Sequence, residues 1–138
     1  MIALDTNALV RMLIEDDQNQ AKKVQKVVSL AEKNSLQIII LSKVLIETVW
    51  VLEAVYKCTR EEISQFLETL LSTSTFTCPD SGVIRSAVQQ YKRGGDFADL
   101  VIIAQAKSHQ ARIFFSFDKK LQKRFPDYVV ETINLTDS

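Results

Sequence analysis

Short apolar runs alternate along this chain with stretches of helical spacing, and that alternation restricts the fold more than any other feature. Ile2-Ala3-Leu4 ends at Asp5-Thr6-Asn7, three side chains able to cap a helix, so the chain opens as a buried strand entering a helix. Between Asp17 and Lys33, apolar residues at Ala21, Val24, Val27, Val28 and Ala31 define a second helix with a basic outer face of Lys22, Lys23 and Lys26. Gln37 to Leu41 is β-branched and reads as a strand, with Ser42 as N-cap of a helix from Lys43 to about Tyr56. Thr59 and Glu62 form a capping box for a helix to about Leu71. Thr75 to Thr77 is a short strand, and Asp80 opens a helix to about Tyr91. Asp96 caps a helix to about Ser108, Arg112 to Phe115 is a strand, Asp118 starts a short helix, and Tyr128 to Glu131 is the last strand. Connections of this kind suit a mostly parallel sheet covered on both faces, with functional groups beyond the carboxyl ends of the strands.

The chain has 138 residues, of which 46% are hydrophobic, enough for one cored domain over 1–138. The longest apolar runs, Ile38 to Leu41 and Leu100 to Ala104, fall far short of the roughly 20 residues a membrane helix needs. Asp5, Arg11, Glu15, Asp16 and Asp17 interrupt the N-terminal segment where a secretory signal would be continuously apolar, so a cytoplasmic protein is expected. Cys58 and Cys78 lack metal-site spacing and read as free thiols. With 17 basic and 17 acidic side chains, long-range attraction does not draw the chain to a polyanion, and any such ligand must be held by local patches.

Five carboxylates fall where the strand ends direct attention: Asp5, Glu47, Asp96, Asp99 and Asp118. Asp5 and Asp118 each also fit a helix cap, and Asp96 with Asp99 fits a helix start unaided. Glu47 borders the stripe of Val44, Thr48, Val51, Leu52 and Val55 and calls for a partner or a cation. Clustered carboxylates repel one another unless positive charge compensates. All-oxygen ligands favour Mg²⁺ or Mn²⁺, ions that polarise a phosphoryl oxygen and activate water.

Other chemistry finds less support. His109 is the one histidine and no G-x-S-x-G elbow occurs, which argues against a Ser-His-Asp hydrolase. Gly94-Gly95 lacks the Lys-Ser or Lys-Thr of a P-loop and reads as a turn. Trp50, Phe114, Phe115 and Phe117 fit core or dimer packing better than base stacking.

L-D-T-N at Leu4 to Asn7, I-E-T-V-W-V-L at Ile46 to Leu52, D-F-A-D at Asp96 to Asp99 and S-F-D at Ser116 to Asp118 together resemble the PIN-domain family, and within it the VapC toxins. The resemblance covers essentially the whole chain. It implies a three-layer α/β/α fold with a five-stranded, mostly parallel sheet and a Mg²⁺- or Mn²⁺-dependent endoribonuclease site. Asp5, Glu47 and Asp99 match the family's core acidic triad, with Asp96 nearby and Asp118 matching a more variable acid. Thr6, Asn7 and Ser116 fall at polar supporting positions. An RNA substrate, a cognate antitoxin and a homodimer are implied as partners. Lys92 and Arg93, and Lys119, Lys120, Lys123 and Arg124, are candidate phosphate contacts or solvated faces. Two alternatives stand: a PIN-like domain that binds RNA or protein without cutting, and a phosphatase of the haloacid-dehalogenase type. Asn7 disfavours the phosphatase, because the D-x-D-x-T pattern needs an acid there.

Overall fold

The computed structural model describes residues 1–133. Its elements are β1 (Ile2–Ala3), α1 (Thr6–Leu13), α2 (Gln18–Lys33), β2 (Ile38–Ile39), α3 (Ser42–Ala54), α4 (Arg60–Ser72), β3 (Phe76–Thr77), α5 (Ser81–Arg93), α6 (Phe97–Ser108), β4 (Phe114–Phe115), α7 (Lys119–Arg124) and β5 (Val129–Val130). The alternation read from the apolar pattern is present, and every described strand pair is parallel. No helix among the described residues is long and apolar enough to cross a membrane.

The expected single five-stranded sheet is not formed among the described residues. The described strands make a three-stranded sheet in the order β1-β2-β3 and a separate two-stranded sheet, β4-β5. Apolar periodicity identifies a strand but not its neighbour, so five correctly located strands do not by themselves define one sheet. In the first sheet Ile38 pairs with Ile2 on one side and Phe76 on the other. Ile38 and Ile40 are fully buried in the main core with Leu9, Leu45, Leu52, Ile84 and Phe97. The β4-β5 pair has a smaller core of its own, Ile103, Leu121 and Val129, and Phe125 packs against both cores.

Helix boundaries follow local chemistry. Thr59 and Glu62 form the capping box: the Glu62 backbone N–H donates to Thr59 Oγ1 at 3.1 Å, and the Thr59 N–H donates to Glu62 Oε1 at 2.8 Å. Two expected caps differ. Ser42 is already helical and the cap position belongs to Leu41, while Asp80 takes a left-handed conformation at φ 56° and accepts no capping bond. In both cases the helix still starts as expected, because packing of its apolar face outweighs a missing cap.

α3 is also rotated from its expected facing. Leu45, Thr48, Val49 and Leu52 are buried, whereas Val55 is exposed, because α3 packs against α1, α4 and α6 together. Trp50 consequently lies outside the core, 63% exposed. Phe115 and Phe117 are exposed too and pack on each other edge to face at 5.2 Å, so core packing holds only for the half-buried Phe114. His109 is exposed, and both cysteines are free thiols.

Two substitutions test this packing and capping by urea unfolding. Leu52→Ala, which empties a fully buried site, should cost about 2–5 kcal/mol. Thr59→Ala should cost about 1 kcal/mol through loss of the cap. The Thr59 N–H holds the Glu62 carboxyl below the usual carboxylate range. That contribution is therefore present at neutral pH and disappears as pH falls through the depressed value.

Candidate active site

Four of the five acids sit at helix starts: Asp5 and Asp118 where a strand hands over to a helix, Asp96 and Asp99 where α5 turns into α6. Leu4 donates its N–H to the Ile39 carbonyl at 3.4 Å, and the next residue, Asp5, turns the chain into α1. Asp5 Oδ1 accepts the Ala8 N–H at 2.9 Å, Asp96 Oδ2 accepts the Asp99 N–H at 3.1 Å, and Asp118 Oδ1 accepts the Lys120 and Leu121 N–H groups at 2.9 and 3.1 Å. Each of these three carboxylates thus commits one oxygen to its helix terminus. The other oxygen has no hydrogen-bond donor among the described residues. Asp5, Asp96 and Asp118 are exposed, and Asp99 is half-buried.

Asp96, Asp99 and Asp118 line one open cavity of about 570 Å³ together with Gly95, Lys120, Lys123 and Arg124. Burial pushes the Asp99 carboxyl above its usual range, and the neighbouring charges of Asp96 and Asp118 add to that. Glu47 lies in an adjoining cavity of about 320 Å³ that shares Asp96 and is also lined by Trp50 and Phe97. Glu47 is half exposed; the Thr6 hydroxyl donates to its Oε2 at 3.3 Å and Lys43 Nζ stands 4.0 Å from its Oε1. Glu47, expected to border the apolar stripe and to need a partner or a cation, thus has Thr6 and Lys43 beside it and is open to solvent. Asp5 lies next to Thr6 on the chain but lines neither cavity. Ser116 Oγ accepts the Asp118 N–H at 3.0 Å, which fixes the turn that presents Asp118. Asn7 is exposed on α1.

The basic residues divide. Lys120, Lys123 and Arg124 face the acidic cavity. Lys119 instead pairs with Glu131 at 2.6 Å, and Lys92 pairs with Glu68 of α4. In both cases a carboxylate distant in sequence pairs with the ammonium group. Arg93 is exposed and lines none of these cavities.

The donor chemistry suits a hard divalent cation, since every candidate ligand is a carboxylate oxygen. Crowding of Asp99 by Asp96 and Asp118, with no ion pair to any of the three among the described residues, leaves negative charge that such an ion would neutralise. As they stand, no three acids among the described residues are close enough together to hold one.

Arg60, which belongs to none of the sequence motifs, bears on this site from behind. Its Nη1 donates to the Tyr91 and Gly95 carbonyls at 2.9 and 2.8 Å, although 31 and 35 residues separate the partners. No local signal marks such a contact.

A parallel α/β domain with acids at the starts of its helices fits the architecture of a PIN domain. The chain belongs to the PIN-domain family, whose model matches residues 2–126. It is similar to the VapC ribonuclease of Aquifex aeolicus (strain VF5), with 31% identity over 124 residues, 89% of this chain and 91% of that protein. No solved structure matches it.

Asp99→Asn separates cap from cluster. With the folded pKa of Asp99 raised, ionisation destabilises the native state as pH rises through the carboxylate range. In chelator at neutral pH, Asp99→Asn should melt above the wild type, and the gap should close at acid pH. A mutant that melts lower at neutral pH would assign Asp99 to helix capping alone.

Proposed function

We propose that this chain is a metal-dependent endoribonuclease and the toxin of a type II toxin-antitoxin pair, working in the cytoplasm. The observation that carries the reading is the cavity in which Asp96, Asp99 and Asp118 face Lys120, Lys123 and Arg124. Acids and bases so arranged suit a phosphodiester held beside a divalent cation. The match to a VapC ribonuclease over most of both chains supports the same reaction class.

Asp5, Glu47 and Asp99 would hold Mg²⁺ or Mn²⁺, with Asp96 and Asp118 flanking. When bound, such an ion polarises a phosphoryl oxygen and lowers the pKa of coordinated water. The protein's own groups do the rest. Thr6 orients Glu47 through its hydroxyl, and Ser116 steadies the backbone before the Asp118 cap. Lys120, Lys123 and Arg124 bind phosphates flanking the scissile bond, releasing counterions as they do so. Asn7 is a polar supporting group at the start of α1. A cognate antitoxin and a second copy of the chain complete the proposed assembly, for which exposed Trp50, Phe115 and Phe117 offer apolar contact area.

Cleavage of a structured RNA should require Mn²⁺ or Mg²⁺ and stop in excess chelator; full activity in chelator would overturn the reading. Charge reversal of Lys120, Lys123 and Arg124 to glutamate should weaken RNA binding. On single-stranded RNA it should also reduce the salt slope by roughly 0.7 for each phosphate left without its cation. Reversal of Lys119, already paired with Glu131, should change the slope less. Equal slopes for the two variants would assign the Lys120 cluster to solvent.

A further inference from the structure

Asp96 and Asp99 face their cavity only while the turn preceding α6 keeps its shape. That turn is Gly94–Gly95, with φ of 133° and 98°, conformations open to glycine and strained for other residues. Glycine permits these angles without enforcing them, so something else must hold the peptide that leads into Asp96. Arg124 lies across the outer side: a Cβ on Gly94 would meet its Nη2 at 2.8 Å, and one on Gly95 its Nε at 3.0 Å. A long, exposed side chain lying over the turn packs it but supplies no hydrogen bond that fixes it.

Arg60 supplies two. It is the first residue of α4, half-buried, and one terminal nitrogen bonds the Tyr91 carbonyl in the last turn of α5 and the Gly95 carbonyl just beyond it. The guanidinium plane is itself held, because Cζ stands 4.2 Å from the centre of the Tyr91 ring. Tyr91 is fully buried; its hydroxyl donates to Glu53 Oε2 at 2.6 Å, and its ring meets Phe97 edge to face at 5.7 Å. A chain of contacts therefore runs from α3 through Tyr91 to Arg60 and on to the peptide joining Gly95 to Asp96. Arg60 does not line the acidic cavity.

We propose that Arg60 is a positioning residue for Asp96 and Asp99, acting through the Gly95 carbonyl and touching neither RNA nor metal; this rests on reading those acids as part of a nuclease site. Lysine keeps the positive charge near the end of α5 but lacks the planar guanidinium, which stacks on the Tyr91 ring while one of its terminal nitrogens donates to both carbonyls. Arg60→Lys is therefore the informative change. Thr59→Ala is its control, since it weakens the same end of α4 without touching the turn.

The experiment compares wild type, Arg60→Lys and Thr59→Ala by amide hydrogen exchange in chelator, by Mn²⁺ titration, and by kcat and KM for RNA. For Arg60→Lys, exchange at residues 96–99 should quicken while the later turns of α6 stay protected. Mn²⁺ affinity and kcat should fall by roughly 10- to 100-fold, the usual effect of removing a group that orients metal ligands, with KM unchanged. Thr59→Ala should leave all three readouts near wild type. If Arg60→Lys and Thr59→Ala behave alike, Arg60 merely anchors α4 and the proposal fails. If Arg60→Lys does not fold, Arg60→Gln, whose amide nitrogen ends where Arg60 Nε stands and falls short of the nitrogen that donates to both carbonyls, carries the same comparison. Failure of the nuclease reading looks different: Asp99→Asn would then retain Mn²⁺ affinity and cleavage, while exchange at 96–99 would still report whether Arg60 holds the turn.

Discussion

Parallel strands cannot be joined by tight turns, so each return must cross the sheet, here through helices. Each strand end therefore delivers the chain to a helix N-terminus, where unsatisfied N–H groups and the positive end of the helix dipole favour a carboxylate. Asp5 after β1 and Asp118 after β4 use that opportunity, and Asp96 does the same at the turn from α5 into α6, each with one oxygen on the helix and the other without a donor among the described residues. Capping therefore occupies only one oxygen of each of these carboxylates. The caps fix the carboxylates at their helix starts, and the helix termini moderate the cost of bringing like charges near one another.

Asp99 marks where that moderation stops. It sits within the first turn of α6 and benefits from the helix terminus, yet burial and the charges of Asp96 and Asp118 raise its pKa. A half-buried carboxylate crowded by two others is a poor way to stabilise a fold. It is a reasonable way to create affinity for a cation, because the repulsion present in the free protein is relieved on binding.

Support for the site comes from two cores of unequal size. The main core fixes α3, α5 and α6 around Leu52, Tyr91 and Phe97, while Ile103, Leu121 and Val129 fix the β4-β5 pair and α7. Asp96 and Asp99 thus rest on the large core and Asp118 on the edge of the small one, with Phe125 packed against both. Phe125, Ile103 of α6 and Arg124 lying over the Gly94–Gly95 turn link the two sets of acids.

Much of this was legible in the residues alone. The order of elements, the Thr59–Glu62 capping box, the caps at Asp5, Asp96 and Asp118, and the glycine turn all depend on interactions between residues a few positions apart, and spacing records those. The split of the strands into two sheets, the facing of α3 that exposes Trp50 and Glu47, the pairing of Lys119 with Glu131 and Lys92 with Glu68, and the reach of Arg60 to Gly95 were not legible. Periodicity states that a helix has an apolar face, but which neighbours compete for that face sets its rotation. An ammonium or guanidinium group carries no mark of the carboxylate or carbonyl it will meet. The sequence by itself determined which residues are available at the strand ends, because local hydrogen bonding put them there; only the tertiary structure decided which share a cavity and what holds them, because those contacts join segments tens of residues apart.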